Sequence, residues 1–139
     1  MTSLDDVAAI ALALPNVTEG TAYGSRAWRV GKALFVWERP LRGTELAALG
    51  DTPPPTDPIL GVRVDGLDEK EALLQAGHPG LFTTPHFDGS PVVLIELDGA
   101  EADLVDELVV DAWLCRASKR AAAAYLDGLR NGDADGDGN

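Results

Sequence analysis

Basic and aromatic side chains alternate between Arg26 and Arg42, and this mixture points to chemistry more directly than the rest of the sequence. Five bases stand there against a single acid, Glu38: Arg26, Arg29, Lys32, Arg39 and Arg42. The aromatic residues among them are Trp28, Phe35 and Trp37. Cationic side chains contact phosphates and aromatic rings stack on bases, so the segment has the composition of a nucleic-acid surface. Core aromatic residues beside solvated cations would produce the same pattern.

The two histidines, His78 and His86, each stand next to a proline in a predicted loop. His86 with Asp88 has the residue types of a general base and its orienting partner, but no serine or cysteine nucleophile occupies a recognisable turn. A hydrogen bond from the imidazole to loop backbone is the simpler interpretation. Without a paired acid and base, a metal-ligand set or a phosphate-binding loop, the sequence predicts neither an enzyme nor a bound cofactor.

Acidic residues are concentrated towards the end of the sequence. Asp103, Asp106, Glu107 and Asp111 recur at helical steps, which is typical of a solvated helix face. Positions 133–138 read DADGDG, like the opening of a calcium loop, but no acid follows at the loop's twelfth position. We therefore expect a disordered acidic tail over residues 131–139 and no metal site. The single cysteine, Cys115, allows no disulfide within the chain and is expected to be a buried thiol.

The overall composition predicts one globular domain over residues 1–130. The sequence has 139 residues, of which 45% are hydrophobic and 24% charged, as in ordinary folded domains. No apolar run is long enough to cross a bilayer, and the acidic start does not resemble a signal peptide, so we expect a cytoplasmic protein. The net charge of −12 argues against a general binder of phosphate backbones.

A β-hairpin is the element expected to carry the cations. β-Branched and aromatic residues flank Gly31 and Lys32, and a two-residue loop that begins with glycine is typical of a type II′ turn. Lys32 would therefore lie at the tip of a basic hairpin. The preceding segment, NVTEGTAYGS, is rich in glycine and threonine and is predicted to be a loop.

The other elements follow from hydrophobic periodicity and capping residues. We expect helices over 4–14, capped by Ser3 with Asp6, then from Asp68 to Ala76, over 101–114, and from Ser118 to 129. Strands are expected over 59–64, 81–84 and 91–97, and the proline-rich stretch 39–58 is expected to be a loop with one helical turn near 45–49. Because most strands are joined by short connections, this order predicts an α+β fold, in which an antiparallel sheet has helices packed on one face.

Three segments carry a family resemblance: ALALPNVTEGTAYGSRAWRVGKALFVW, TPHFDGSPVVLIEL, and the SKR before the last helix. Together they resemble the MmcQ/YjbR family of small bacterial proteins. The first family motif is matched by Glu19, Gly24, Trp28, Arg29, Gly31, Lys32 and Phe35, and the second by Thr84, Pro85, His86, Gly89 and Pro91. The resemblance implies a frataxin/CyaY-like fold, and DNA binding by analogy with a double-wing module.

Two hypotheses for function result. In the first, the hairpin binds double-stranded DNA through Arg26, Arg29, Lys32, Arg39 and Arg42. In the second, the domain is a non-enzymatic module for a small ligand or a protein partner, with a pocket lined by Glu19, Tyr23, Trp28 and His86.

Overall fold

The computed structural model describes residues 2–135, so Met1 and the last part of the predicted tail, 136–139, lie outside the described residues. The helices are α1 (Leu4–Leu12), α2 (Gly43–Ala48), α3 (Leu67–Gln75), α4 (Ala102–Arg116) and α5 (Lys119–Asp135). The strands are β1 (Val17–Ala22), β2 (Ser25–Val30), β3 (Ala33–Glu38), β4 (Ile59–Arg63), β5 (Leu81–Phe82) and β6 (Val92–Glu96). A 3-10 turn, Pro85–Phe87, follows β5.

All six strands belong to one sheet, in the order β1-β2-β3-β4-β6-β5, and every neighbouring pair is antiparallel. The predicted α+β fold, an antiparallel sheet with helices packed against it, is confirmed. None of the described helices combines the length and apolarity that crossing a membrane requires.

One face of the sheet, here called the helix face, packs against α1 and α4. Trp28 and Phe35 are fully buried there with Trp113 of α4. The apolar positions of α4 recur at three- and four-residue steps, which turns one stripe of the helix towards the sheet: Leu104, Val105, Leu108, Val109 and Ala112. The Nε1 of Trp113 donates to the carbonyl of Pro15 at 2.9 Å, so α4 is also joined to the segment after α1.

The opposite face of the sheet buries a smaller cluster that includes Ala27, Trp37 and Leu94. Connecting segments also contribute to this cluster, because Phe87 is buried in it and Leu41 packs against it. The chain after β3 and the chain after β5 therefore meet over this face, and they bring the predicted site residues Arg39, Arg42 and His86 into the same region.

Two of the three predicted helix caps are present in the structure. Ser3 and Asp6 form the predicted capping box of α1, and Ser118 accepts a hydrogen bond from the backbone of Ala121 at the start of α5. The prediction that Asp68 caps α3 was wrong, because Gly66 occupies the cap position. Asp68 lies instead in the first turn, where a negative charge is favoured by the helix dipole. Helix α5 continues past the predicted end at 129 into positions assigned to the tail.

The largest error of secondary-structure prediction concerns the segment NVTEGTAYGS, which is not a loop. Its residues form β1 and a second hairpin turn at Tyr23 and Gly24, whose φ angles are +55° and +82°. Two consecutive positive φ angles are typical of a type I′ turn, which usually contains asparagine or glycine at the position held here by Tyr23. At the predicted turn between β2 and β3, Gly31 has a φ of +59°, as a type II′ turn requires of its first residue.

Candidate anion-binding site

Two of the five predicted cations are already paired with carboxylates. Arg26 lies on the helix face, where its Nε is 2.9 Å from Oε2 of Glu19 and its Nη1 is 3.0 Å from Oδ1 of Asp5. The indole Nε1 of Trp28 donates to Oε1 of the same Glu19 at 3.1 Å. The hydrogen bond from Arg26 is the main reason that the pKa of Glu19 is lowered, against the opposing effect of burial. Arg26, Glu19 and Trp28 thus satisfy one another.

Arg39 is the second paired cation and is only 4% exposed. Its Nη1 and Nη2 donate to the two carboxylate oxygens of Glu45 at 3.0 and 3.1 Å, and its Nη1 also reaches the carbonyl of Pro40. Glu45 accepts two further hydrogen bonds, from the backbone N–H of Arg42 and from Oγ1 of Thr84. Both charges are therefore occupied within the domain, and the arrangement fixes α2 beside the end of β5.

The pKa of Glu45 reflects this arrangement. Burial acts to raise it, but the hydrogen bonds from Arg42, Arg39 and Thr84, together with the charge of Arg39, outweigh burial and lower the pKa below its ordinary value. The carboxylate consequently stays ionised and keeps its bonds to Arg39 across the neutral pH range.

The other three cations form no ion pair with any carboxylate in the described part of the chain. Lys32 is exposed at the hairpin tip. Arg29 donates from Nη1 to the carbonyl of Thr21 at 3.2 Å, which places it over β1 at the edge of the sheet. Arg42 lies over the ring of Tyr23, with Cζ 5.8 Å from the ring centre.

Arg42 stands between two adjoining hollows. The larger, about 390 Å³, is here called the α2 cleft and is lined by Arg39, Arg42, Thr44, Glu45, Ala48, Pro85 and His86. The smaller, about 250 Å³, includes Tyr23, Ser25 and Glu38. Since Glu45 already neutralises Arg39, the positive charge that remains available in the α2 cleft is that of Arg42. The cleft can accept an anionic group from a small molecule.

A family model matches most of the chain, and the matched range includes every residue of the α2 cleft. The model of the YjbR family matches residues 12–115. The chain belongs to the YjbR family. Uncharacterised proteins of Mycobacterium tuberculosis and Mycobacterium bovis are each 44% identical to it over 129 residues, which cover 91% of this chain and 97% of the relative.

A solved YjbR-type structure agrees at the level of the fold. The crystal structure of Deinococcus radiodurans protein DR2400, with domain family DUF419, matches with a TM-score of 0.62. The match covers 94% of this chain and 89% of the other, at 21% identity. The family resemblance seen in the sequence motifs is confirmed by the family match, and the overall fold is shared with that protein.

The residues predicted to line one pocket occupy two places in this YjbR domain. Glu19 and Trp28 are hydrogen-bonded to each other on the helix face, whereas Tyr23 and His86 line the two hollows on either side of Arg42. Sequence reasoning missed the pairing of Arg39 with Glu45. The spacing of Glu45 three residues after Arg42 was the available signal, since it matches the third position of a helix start.

Proposed function

We propose that this YjbR-family chain is a non-enzymatic binding domain that takes a small anionic ligand in the α2 cleft, with Arg42 as the main contact. The observation that carries the proposal is the contrast between two neighbouring arginines. Arg39 is buried and neutralised by Glu45, whereas Arg42 faces the same cleft without a described carboxylate partner. A small anion would supply the charge that the chain does not.

The surroundings of Arg42 support recognition of an oxyanion. A guanidinium presents donors in a planar fork that matches carboxylate and phosphate groups. The ring of Tyr23 lies under the guanidinium and restrains its orientation through a cation–π contact. Thr44 and His86 add a hydroxyl and an imidazole to the lining, and both can donate hydrogen bonds to anionic oxygens.

The test is thermal unfolding of the full chain with inorganic phosphate, sulfate, citrate, glucose 6-phosphate and AMP, followed by calorimetric titration of each anion that stabilises it. A ligand present at 100 times its Kd stabilises the folded state by about 2.7 kcal/mol, which raises Tm by several degrees in a domain of this size. We expect at least one of the five anions to do so in a concentration-dependent manner.

Two variants that each remove one positive charge distinguish binding in the α2 cleft from a general electrostatic effect. Arg42→Gln should weaken binding of that anion at least tenfold, because it removes a charge-assisted pair of hydrogen bonds. Arg120→Gln, at an exposed arginine of α5, should leave the Kd within twofold. Equal effects of the two variants, or a flat response to all five anions, would refute the assignment of the α2 cleft.

Double-stranded DNA is the second candidate partner, and it is favoured because Arg29, Lys32 and Arg42 form no ion pair within the described residues. Arg26 and Arg39 are left out of this version because carboxylates of the chain already hold them. The frataxin/CyaY-like and double-wing-like resemblance adds an analogy of fold, which by itself carries no function. Arg29 and Lys32 lie near the end of β2, whereas Arg42 lies over Tyr23 in the turn before β2. The two ends of a six-residue strand are roughly 17 to 20 Å apart.

Duplex binding has a measurable signature that differs from anion binding in the cleft. If all three cations contact phosphates, a plot of log K against log salt concentration should have a slope of about −2.7. Fewer contacts would give a shallower slope. In fluorescence anisotropy with a labelled duplex, Arg29→Ala with Lys32→Ala should abolish binding, and Lys119→Ala with Arg120→Ala should not. Absence of binding even at low salt would eliminate DNA as the partner. The small-anion proposal is tested independently, by the titrations with the five anions.

A further inference from the structure

The two outer strands of the sheet leave very different lengths of open edge. At one end, β5 has only two residues, and Pro85 follows shortly after it. At the other end, β1 has six residues, most of them exposed, and among the described strands it pairs with β2 alone. A long open edge is a template on which a strand of another chain can pair, so folded proteins protect such edges.

The register of β1 shows which of its backbone groups face outwards. The N–H of Gly31 donates to the carbonyl of Asn16 at 3.1 Å, so Asn16 is directed towards β2. Because the direction alternates from residue to residue in an antiparallel pair, Val17, Glu19 and Thr21 direct their N–H and C=O groups away from the sheet. We call these outward backbone groups the β1 edge.

Arg29 reaches across β1 and occupies part of this edge. It lies opposite Thr18 in the register, and its Nη1 donates to the outward carbonyl of Thr21 at 3.2 Å. Gly20 leaves the path open, because it has no side chain and even a Cβ there would lie 3.8 Å from Nη1. The guanidinium therefore stands on the outer side of β1, where an incoming strand would have to lie.

No carboxylate holds Arg29 in this position. Within the part of the chain that the structure describes, it forms no ion pair, whereas Arg26 is paired with Glu19 and Asp5. A strand that docked on the β1 edge would displace the hydrogen bond from Arg29 to Thr21 and bury part of an uncompensated charge. Both changes cost free energy.

We propose that Arg29 keeps the β1 edge from pairing with the same edge of a second copy of this chain. A second copy is the partner that symmetry favours, because antiparallel pairing of two identical edges is self-complementary and closes after two copies. When Glu19 lies opposite Thr21 of the second copy, the twofold axis passes beside Gly20. The two Arg29 guanidiniums then lie on either side of the axis, and their repulsion opposes the dimer.

Sedimentation velocity from micromolar to millimolar protein tests this role with a pair of variants that each lose one positive charge. Arg29→Thr removes the cation and places a strand-favouring residue opposite Thr18, so it should fold. Lys32→Thr removes the same charge at the exposed hairpin tip. The parent protein and Lys32→Thr should remain monomeric. Arg29→Thr should dimerise, with an association constant at least about tenfold above the limit set by the parent, because no charge-assisted bond has to be broken.

Two other variants at the same position separate the cation from the replacing side chain. Arg29→Ala should associate as Arg29→Thr does, although alanine adds no strand preference. Arg29→Lys keeps the positive charge and N–H donors, and it should remain monomeric.

Amide hydrogen exchange measured by NMR locates the contact. In the parent protein, the N–H groups of Val17, Glu19 and Thr21 should exchange rapidly, whereas those of Thr18 and Gly20, which face β2, should be protected. In Arg29→Thr, the N–H groups of the β1 edge should become protected as the protein concentration rises.

Four results would overturn the proposal. They are a dimeric parent protein, an Arg29→Thr variant that is folded by circular dichroism but monomeric at millimolar concentration, a dimer whose β1 edge still exchanges rapidly, and equal association of Arg29→Thr and Lys32→Thr. The last result would show that net charge, and not the edge, controls assembly. None of these measurements involves an anion, so their outcome is independent of binding in the α2 cleft.

Discussion

Replacing Glu45 by glutamine should cost more stability than any change of an exposed acid in this domain. The side chains of Arg39 and Glu45 are 5% and 8% exposed and are joined by a two-armed ion pair. Glutamine has nearly the same shape, so little volume changes. It removes the negative charge, however, and leaves the guanidinium of Arg39 buried without a counter-charge.

The expected cost is about 3 to 5 kcal/mol, the range for breaking a buried ion pair by removing one partner. Glutamine also brings an NH₂ group to one of the positions where Glu45 now accepts from Arg39, Arg42 and Thr84. A domain of this kind is stable by about 5 to 15 kcal/mol in total, so the loss is a large fraction. Replacing both partners by apolar residues, as Arg39→Met with Glu45→Leu, should recover much of it because no buried charge is left unpaired.

Urea denaturation followed by circular dichroism measures the cost directly. Glu71→Gln is the control, because Glu71 is exposed and its carboxylate accepts a hydrogen bond from the exposed side chain of Gln75. The control should lie within about 0.5 kcal/mol of the parent protein. A cost below about 1 kcal/mol for Glu45→Gln would show that solvent reaches Arg39 and would contradict the burial on which the calculation rests.

The pH dependence has a defined sign. Because the folded-state pKa of Glu45 is lowered, its contribution is complete above the ordinary value of 4.5 and is lost as the pH falls through the folded-state value. The parent protein should therefore lose stability in acid faster than Glu45→Gln does. Parallel stability curves for the two proteins between neutral and acidic pH would contradict the assigned direction.

Two further predictions concern packing on the face of the sheet opposite the helices. Gly61→Ala should destabilise the domain by about 1 to 3 kcal/mol in the same urea assay, because the added Cβ would lie 2.8 Å from Cε2 of Trp37. Gly43→Ala is its control and should be close to neutral, because a Cβ at Gly43 would meet open space. Lys70→Met should cost about 1.5 to 3 kcal/mol, because the buried Nζ donates to the carbonyls of Phe87 and Ser90 at 2.6 and 2.9 Å. Lys119→Met, at an exposed lysine, is its control, and equal Tm values for these two variants would show that Lys70 does not hold the Pro85–Phe87 turn.

Local signals in the sequence were sufficient for the elements that carry their own capping or periodicity. Ser3 with Asp6 defined the start of α1, and the apolar steps of α4 defined its buried stripe. Gly31 marked the hairpin between β2 and β3 because a positive φ is required there. In each case the residues that determine the element lie within a few positions of one another.

The strand β1 could not be found in this way because its evidence is non-local. Its residues are mostly exposed, and glycine and threonine within them are typical of loops. The strand exists because it pairs with β2 from Val17 opposite Val30 to Ala22 opposite Ser25. The turn that sets this register contains Tyr23 with a positive φ. Such turns usually contain asparagine, aspartate or glycine, so a tyrosine does not indicate one.

The same limit explains why the cations were the harder prediction. Five bases near one acid in the sequence suggested a surface of uncompensated charge, yet Asp5, Glu19 and Glu45 approach two of them in the fold. Counting charges between Arg26 and Arg42 does not detect this compensation, because Asp5 and Glu19 come before that segment and Glu45 comes just after it. Within the described residues, the cations of this segment without a carboxylate partner are Arg42 in the α2 cleft and Arg29 and Lys32 on the hairpin. Such an arrangement fits one small anion at Arg42 more closely than a continuous track of phosphates, and the salt slope of duplex binding is the quantity that decides between them.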